Sequence, residues 1–167
     1  MTQIRAIRQT FQRVCLLSLA SYVTSACGGV TIPENAEPVA FERFDNLQAR
    51  GVYGDRERDR VVITDRAVFA EFWRVVASPT DAPVPIIDFS QRVVVAVSMG
   101  ARASTGHHIA VTDVLRSRST LYVVIEEVSP GPRCLIGAEN TWPMTAVVIS
   151  VAATHVEFVE RERVRMC

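Results

Sequence analysis

Two segments, residues 93–97 (VVVAV) and 121–125 (LYVVI), are apolar at consecutive positions rather than at alternate ones. Successive residues of a strand point to opposite faces, so strands of this kind need cover on both sides. The chain must therefore supply more than one layer. Further short runs rich in Val, Ile and Thr lie at 61–63, 92–99, 107–115, 120–128, 144–152 and 156–159, and read as strands. Residues 116–119 (RSRS) read as a hairpin turn between two of them.

One amphipathic helix accompanies the strands. Thr64 or Asp65 can cap it, and Val68, Phe69, Phe72, Trp73, Val75 and Val76 recur at three- and four-residue spacing. Ser78-Pro79 closes it, and residues 80–85 form a Pro-punctuated linker. Its aromatic cluster reads as a face buried on a sheet. The expected fold is mainly β (α+β): a compact antiparallel, sandwich-like domain over residues 41–167 with one packed helix.

The N-terminal segment reads as an address. Arg5, Arg8 and Arg13 precede a ten-residue apolar stretch at 14–23 (VCLLSLASYV), followed by Thr24-Ser25-Ala26-Cys27 and two glycines. Ten residues are too few to cross a ~30 Å hydrocarbon core, but they suit the hydrophobic part of a secretory signal. Small residues directly before a Cys look like a bacterial lipoprotein processing site, although Thr24 stands where an aliphatic residue is usual. The expectation is a lipoprotein signal peptide at 1–26 and lipidation of Cys27, with a tether at 27–40 carrying Pro33 and Pro38. The protein would be exported and lipid-anchored in the cell envelope, at the outer membrane or the periplasmic face. A plain signal peptide cut nearby, or a start codon placed too early, are the alternatives. Loss of residues 1–26 changes 18 basic against 18 acidic residues to 15 against 18, a net charge of −3.

Cysteine usage agrees with export. Cys15 leaves with the signal and Cys27 is blocked by lipid, which leaves Cys134 and Cys167 in an oxidising compartment and points to one disulfide. Two free thiols or an intermolecular bridge remain as alternatives.

The residues offer little for catalysis. All 18 basic residues are Arg, so no Schiff-base or phosphate-loop lysine exists. His107 and His108 are adjacent and point to opposite faces of a strand, His155 is distant, and no metal-binding spacing is present. There is no GxSxG elbow, and the serines lie in turns without an evident base. Cys134 is more simply structural than a thiolate nucleophile. Glu126 and Glu127 are strand neighbours facing opposite ways, not a convergent acid–base pair. The balanced charge removes the field expected of a nucleic-acid binder. The expectation is no enzyme, no cofactor, no metal and no small-molecule substrate. The charge-mixed segments 55–60 (DRERDR) and 160–165 (ERERVR) read as solvated surface or edge-strand protection, with a membrane-headgroup contact for their Arg residues as the alternative.

Recognition would then fall to two loops, residues 100–108 (GARASTGHH) and 129–143 (SPGPRCLIGAENTWP). Arg102, Ser104, Thr105, Gly106, His107, His108 and Trp142 are the candidate contact residues. Trp142 reads either as a core plug or as a binding anchor.

The order of features carries a resemblance. Asp88-Phe89-Ser90, the apolar strand 93–97, Gly100, Ser104-Thr105-Gly106 and a strand from Ile109 follow one another. A hairpin strand, Ser129-Pro130-Gly131-Pro132, Cys134, Pro143 and Cys167 come after. Over residues 60–167 the chain resembles the C-terminal domain of the protease complex subunit PrcB family of bacterial lipoproteins. That family usually follows the Thr-Gly turn with another Gly and an aromatic residue, where His107 and His108 stand here. The resemblance implies a membrane-anchored accessory that associates with, stabilises or helps mature a secreted or surface protease. Ser104-Thr105-Gly106 is also similar to the loop of chagasin-type cysteine-protease inhibitors, which gives an inhibitor as the alternative. A structural envelope lipoprotein without an enzyme partner is the third reading.

Overall fold

The computed structural model describes residues 29–45, 47, 57–151 and 155–167. The expected signal peptide and Cys27 lie outside the described residues. In chain order the elements are β1 (Glu37–Pro38), β2 (Phe41–Arg43), β3 (Asp59–Ile63), α1 (Arg66–Val76), β4 (Val93–Ser98), β5 (His108–Ser117), β6 (Thr120–Pro130), β7 (Met144–Ile149) and β8 (His155–Arg165). They form two four-stranded sheets, ordered β1-β5-β6-β8 and β2-β7-β4-β3. The expected β-rich, sandwich-like domain with one helix is what the chain adopts.

β4 shows why an unbroken apolar run was needed. Val93, Val95 and Val97 face the other sheet, where Val111, Leu121, Val123 and Ile125 lie in the main core, with Val147 of neighbouring β7 beside them. Val94 and Ala96 face the opposite way and pack with Ala146, Val148 and Ile63 beneath the helix. The strand is buried at all six positions, and each such Val contributes about 1.5–3 kcal/mol relative to exposure.

The helix lies on the β2-β7-β4-β3 sheet through Phe69, Phe72, Trp73 and Val76. Asp65 is its N-cap, its carboxylate accepting from the N–H groups of Ala67 at 2.7 Å and Val68 at 3.1 Å. Phe44 and Phe89 close around Phe69 at ring distances of 5.7 and 5.8 Å. The linker is fixed as well, since the Trp73 indole N–H donates to the Ala82 carbonyl.

Among the described residues every strand pair is antiparallel except one: β6 and β8 run parallel over eleven residues, from Thr120↔His155 to Pro130↔Arg165. Parallel neighbours need a long crossover, and here the chain spends it by placing β7 in the opposite sheet. β8 therefore extends well past the expected 156–159, through the whole charged segment. At the other margin, β1 pairs with β5 at Leu115 and Arg116, and the Val39 N–H donates to Val114. The stretch expected as tether thus joins the sheet at its end.

Candidate functional site

The β4–β5 connection (residues 99–107) and the β6–β7 connection (131–143) cross the same end of the sandwich. This follows from register: Ser98 faces Met144, and His108 faces Val128. β8 finishes at the same end, with Arg165 beside Pro130.

The two loops are bonded to each other. Arg102 and Thr141 exchange both backbone hydrogen bonds at 2.8 Å. The Thr105 N–H donates to the Gly137 carbonyl at 3.0 Å, and the Gly137 N–H donates back to Thr105 Oγ1 at 2.7 Å. The Thr141 hydroxyl donates to the Ser104 carbonyl at 2.9 Å. Gly106 turns the chain with φ of +88°, a conformation that favours glycine.

A disulfide between Cys134 and Cys167 pins the longer loop to the residues following β8. Close approach of the two segments accompanies it: the Gly131 N–H donates to the Arg165 carbonyl at 3.0 Å. A Cβ on Gly131 would sit 2.8 Å from that same oxygen, so a side chain there would force the strands apart. Beyond the bridge the loop end exposes apolar side chains. Leu135 is fully exposed, Met166 is 71% exposed and Ile136 48%.

Of the residues singled out in the sequence, Arg102, Ser104, Thr105, Gly106 and His107 share this loop unit. His108 opens β5 with its side chain exposed. Trp142 is half-buried, and its indole N–H is buried without a partner among the described residues. One contact departs from expectation. Ser104 Oγ lies 3.2 Å from His107 Nε2, so that serine does have an imidazole within reach. Burial, then the charge of Arg102, holds His107 below the ordinary imidazole pKa, which keeps the ring neutral near pH 7. Its Nδ1 is buried with no partner among the described residues to orient it, whereas a nucleophile–base pair ordinarily has a third group there.

Beside the loops lies an ionic cluster built largely from the two charged segments expected to be solvated surface or edge-strand protection. Glu127 points inward from β6 and is only 3% exposed. Its carboxylate accepts from Arg60 at 2.6 Å and pairs with Arg58 at 3.0 Å. Arg60 also grips Glu160 with two nitrogens, at 2.8 and 2.9 Å, and Arg58 bonds Glu162. Burial opposes the Arg60 charge, but its bonds to Glu160 and Glu127 outweigh this and raise its pKa. The hydrogen bond from Arg58, with that residue's charge, lowers the Glu162 carboxyl. The cluster joins β3 of one sheet to β6 and β8 of the other, closing that flank of the sandwich. A small cleft of about 150 Å³ connects it to Arg102. The available signal was the alternation of charge at period two in both segments, with complementary signs. Among the described residues, no group of three or more His, Cys, Asp or Glu could hold a metal ion, and no helix is long and apolar enough to cross a membrane.

Residues 93–150, from the start of β4 to just past β7 and including both loops, match the family model described as PrcB C-terminal. This is the family that the sequence resembles. No curated protein and no solved structure matches the chain.

Proposed function

We propose, from the match to the PrcB C-terminal family, that the protein is a non-enzymatic accessory subunit of a secreted or surface protease complex. It docks its partner through the loop end and is held in the cell envelope by lipid on Cys27. One observation carries the docking role: Leu135, Ile136 and Met166 stand exposed on loops that are cross-bonded and disulfide-pinned. Exposed apolar side chains on a rigid support lose little entropy on binding and supply the anchor of an interface.

The placement of the N-terminal segment supports the same reading. Asn35 bonds Ser117 at the hairpin end of β5, so the chain enters the sandwich at the end opposite the docking loops. Ten residues of β5 separate the two ends, about 30 Å at the rise of an extended strand. The inhibitor reading gains less support, because Thr105 Oγ1 is turned to hold the Gly137 N–H.

The test is purification of the tagged full-length protein from its native envelope in mild detergent, beside a Leu135→Asp/Ile136→Asp variant. A protease that accompanies the wild type and is lost from the variant is the expected result. A wild-type preparation without a protease, or equal capture by both, would overturn the reading.

A further inference from the structure

β8 is an edge strand. It pairs with β6 over eleven residues, and among the described residues no backbone hydrogen bond reaches its other edge. A long open edge is a template for another strand unless something prevents it.

The side chains of β8 divide cleanly by face. Val156 and Phe158 pack on the core, and Glu160 and Glu162 on the same side are consumed by Arg60 and Arg58. Arg161, Arg163 and Arg165 alternate with them and fall on the outer face, beside Glu126, Val128 and Pro130 of β6. Arg163 meets Glu126 at 3.2 Å. Arg161 and Arg165 form no ion pair among the described residues. The open edge is therefore flanked by a basic row with two unneutralised guanidinium groups.

A second copy of the chain centred on Arg161, Glu162 or Arg163 does not suit this edge. A two-fold axis between antiparallel strands keeps each side chain on its own face, so paired residue numbers must sum to an even value. Centring on Arg161 then puts Glu160 opposite Glu162. Centring on Glu162 puts Arg161 opposite Arg163, and centring on Arg163 puts Arg161 opposite Arg165. Like charges directly opposite are destabilising. The charges that disfavour a copy in these registers suit a strand whose alternate residues are carboxylates.

We propose that the free edge of β8 accepts an extended acidic peptide segment of another protein as an added strand. Main-chain hydrogen bonds supply the affinity, and carboxylates spaced two residues apart along one face read Arg161, Arg163 and Arg165. This surface is separate from the loop end and does not rest on the partner there being a protease.

The probe is a fluorescent ten-residue peptide of alternating Thr and Glu, titrated onto the full-length protein in detergent. Two control peptides carry Pro in place of alternate Thr residues, or Lys in place of Glu. Binding of the Thr-Glu peptide with hydrogen-exchange protection in residues 155–165, and binding at least about tenfold weaker for both controls, is the expected result. An Arg161→Glu/Arg165→Glu variant should lose the acidic peptide about tenfold and gain the basic one. Arg165→Gln supplies a milder comparison should the double variant lose its circular dichroism. Equal binding of the Pro-interrupted peptide would reduce the effect to charge attraction and overturn strand addition. So would absence of binding, or protection confined to the loop end.

Discussion

Glu127 is the residue whose loss the structure prices most directly. Its carboxylate is 3% exposed and holds two guanidinium groups, Arg60 at 2.6 Å and Arg58 at 3.0 Å. Glu127→Gln keeps the shape but leaves one oxygen, which can still accept from Arg60, and turns an amide N–H₂ toward the Arg58 donor. A hydrogen bond to a charged group is worth about 1.5–3 kcal/mol net. Arg58 is 45% exposed, which discounts its half, and Glu160 continues to hold Arg60. The expected loss is about 2–3 kcal/mol, read as a lower urea midpoint at unchanged slope. At this chain length it corresponds to a Tm lower by about 4–12 °C. The control is its neighbour: Glu126 faces outward to the exposed Arg163, and Glu126→Gln should cost about 0–1 kcal/mol. Equal midpoints for the two variants would refute the assignment of Glu127 as the inward carboxylate that ties the sheets together.

Three other outcomes can be checked on the same protein. Cys134 and Cys167 enclose a separation of 33 residues, so Cys134→Ser should lower stability by about 4 kcal/mol in the chain-entropy model; identical intact masses with and without reductant would show that no bridge exists. Gly100 has φ of +74°, and a Cβ there would lie 2.6 Å from the Glu57 backbone; Gly100→Ala should cost about 1–3 kcal/mol through strain, and an unchanged midpoint would deny that contact. His107 is held below the usual imidazole value by burial and by Arg102, so its folded pKa lies below its unfolded one. The stability it contributes is complete above about pH 6.5 and is lost as pH falls through the folded pKa. His107→Gln should therefore flatten stability against pH on the acid side, and a slope like that of the wild type would be the contrary result.

The elements that declared themselves in sequence are those whose burial is one-dimensional. The Val93–Val97 run and the Phe69-Phe72-Trp73-Val76 stripe each carry their partner's position in their own periodicity, and Asp65 carries its capping chemistry. β1 is two residues long with a Pro, too short for any pattern to show. The second half of β8 was missed because its inward residues, Glu160 and Glu162, meet arginines rather than apolar atoms. Their partner Arg60 lies 100 residues away in the chain from Glu160 and 67 from Glu127, and no local pattern spans that distance. The two contact loops were legible as separate excursions. Their union rests on backbone bonds such as Arg102 with Thr141, which leave no trace in residue type.

The parallel docking of β8 has a consequence for how the molecule is completed. Among the described strand pairs only the β5–β6 hairpin joins close neighbours in sequence, and β8 must in addition wait for the chain to cross to the other sheet and return. Such long-range pairing is slow to form. A slip of one residue would turn Glu160 and Glu162 outward and bring Arg161 and Arg163 against Arg58 and Arg60. Cys167 comes within bonding distance of Cys134 when Arg165 has settled beside Pro130. Oxidation of that pair thus seals the register, and the bridge is a chemical record that the last strand arrived in its correct place.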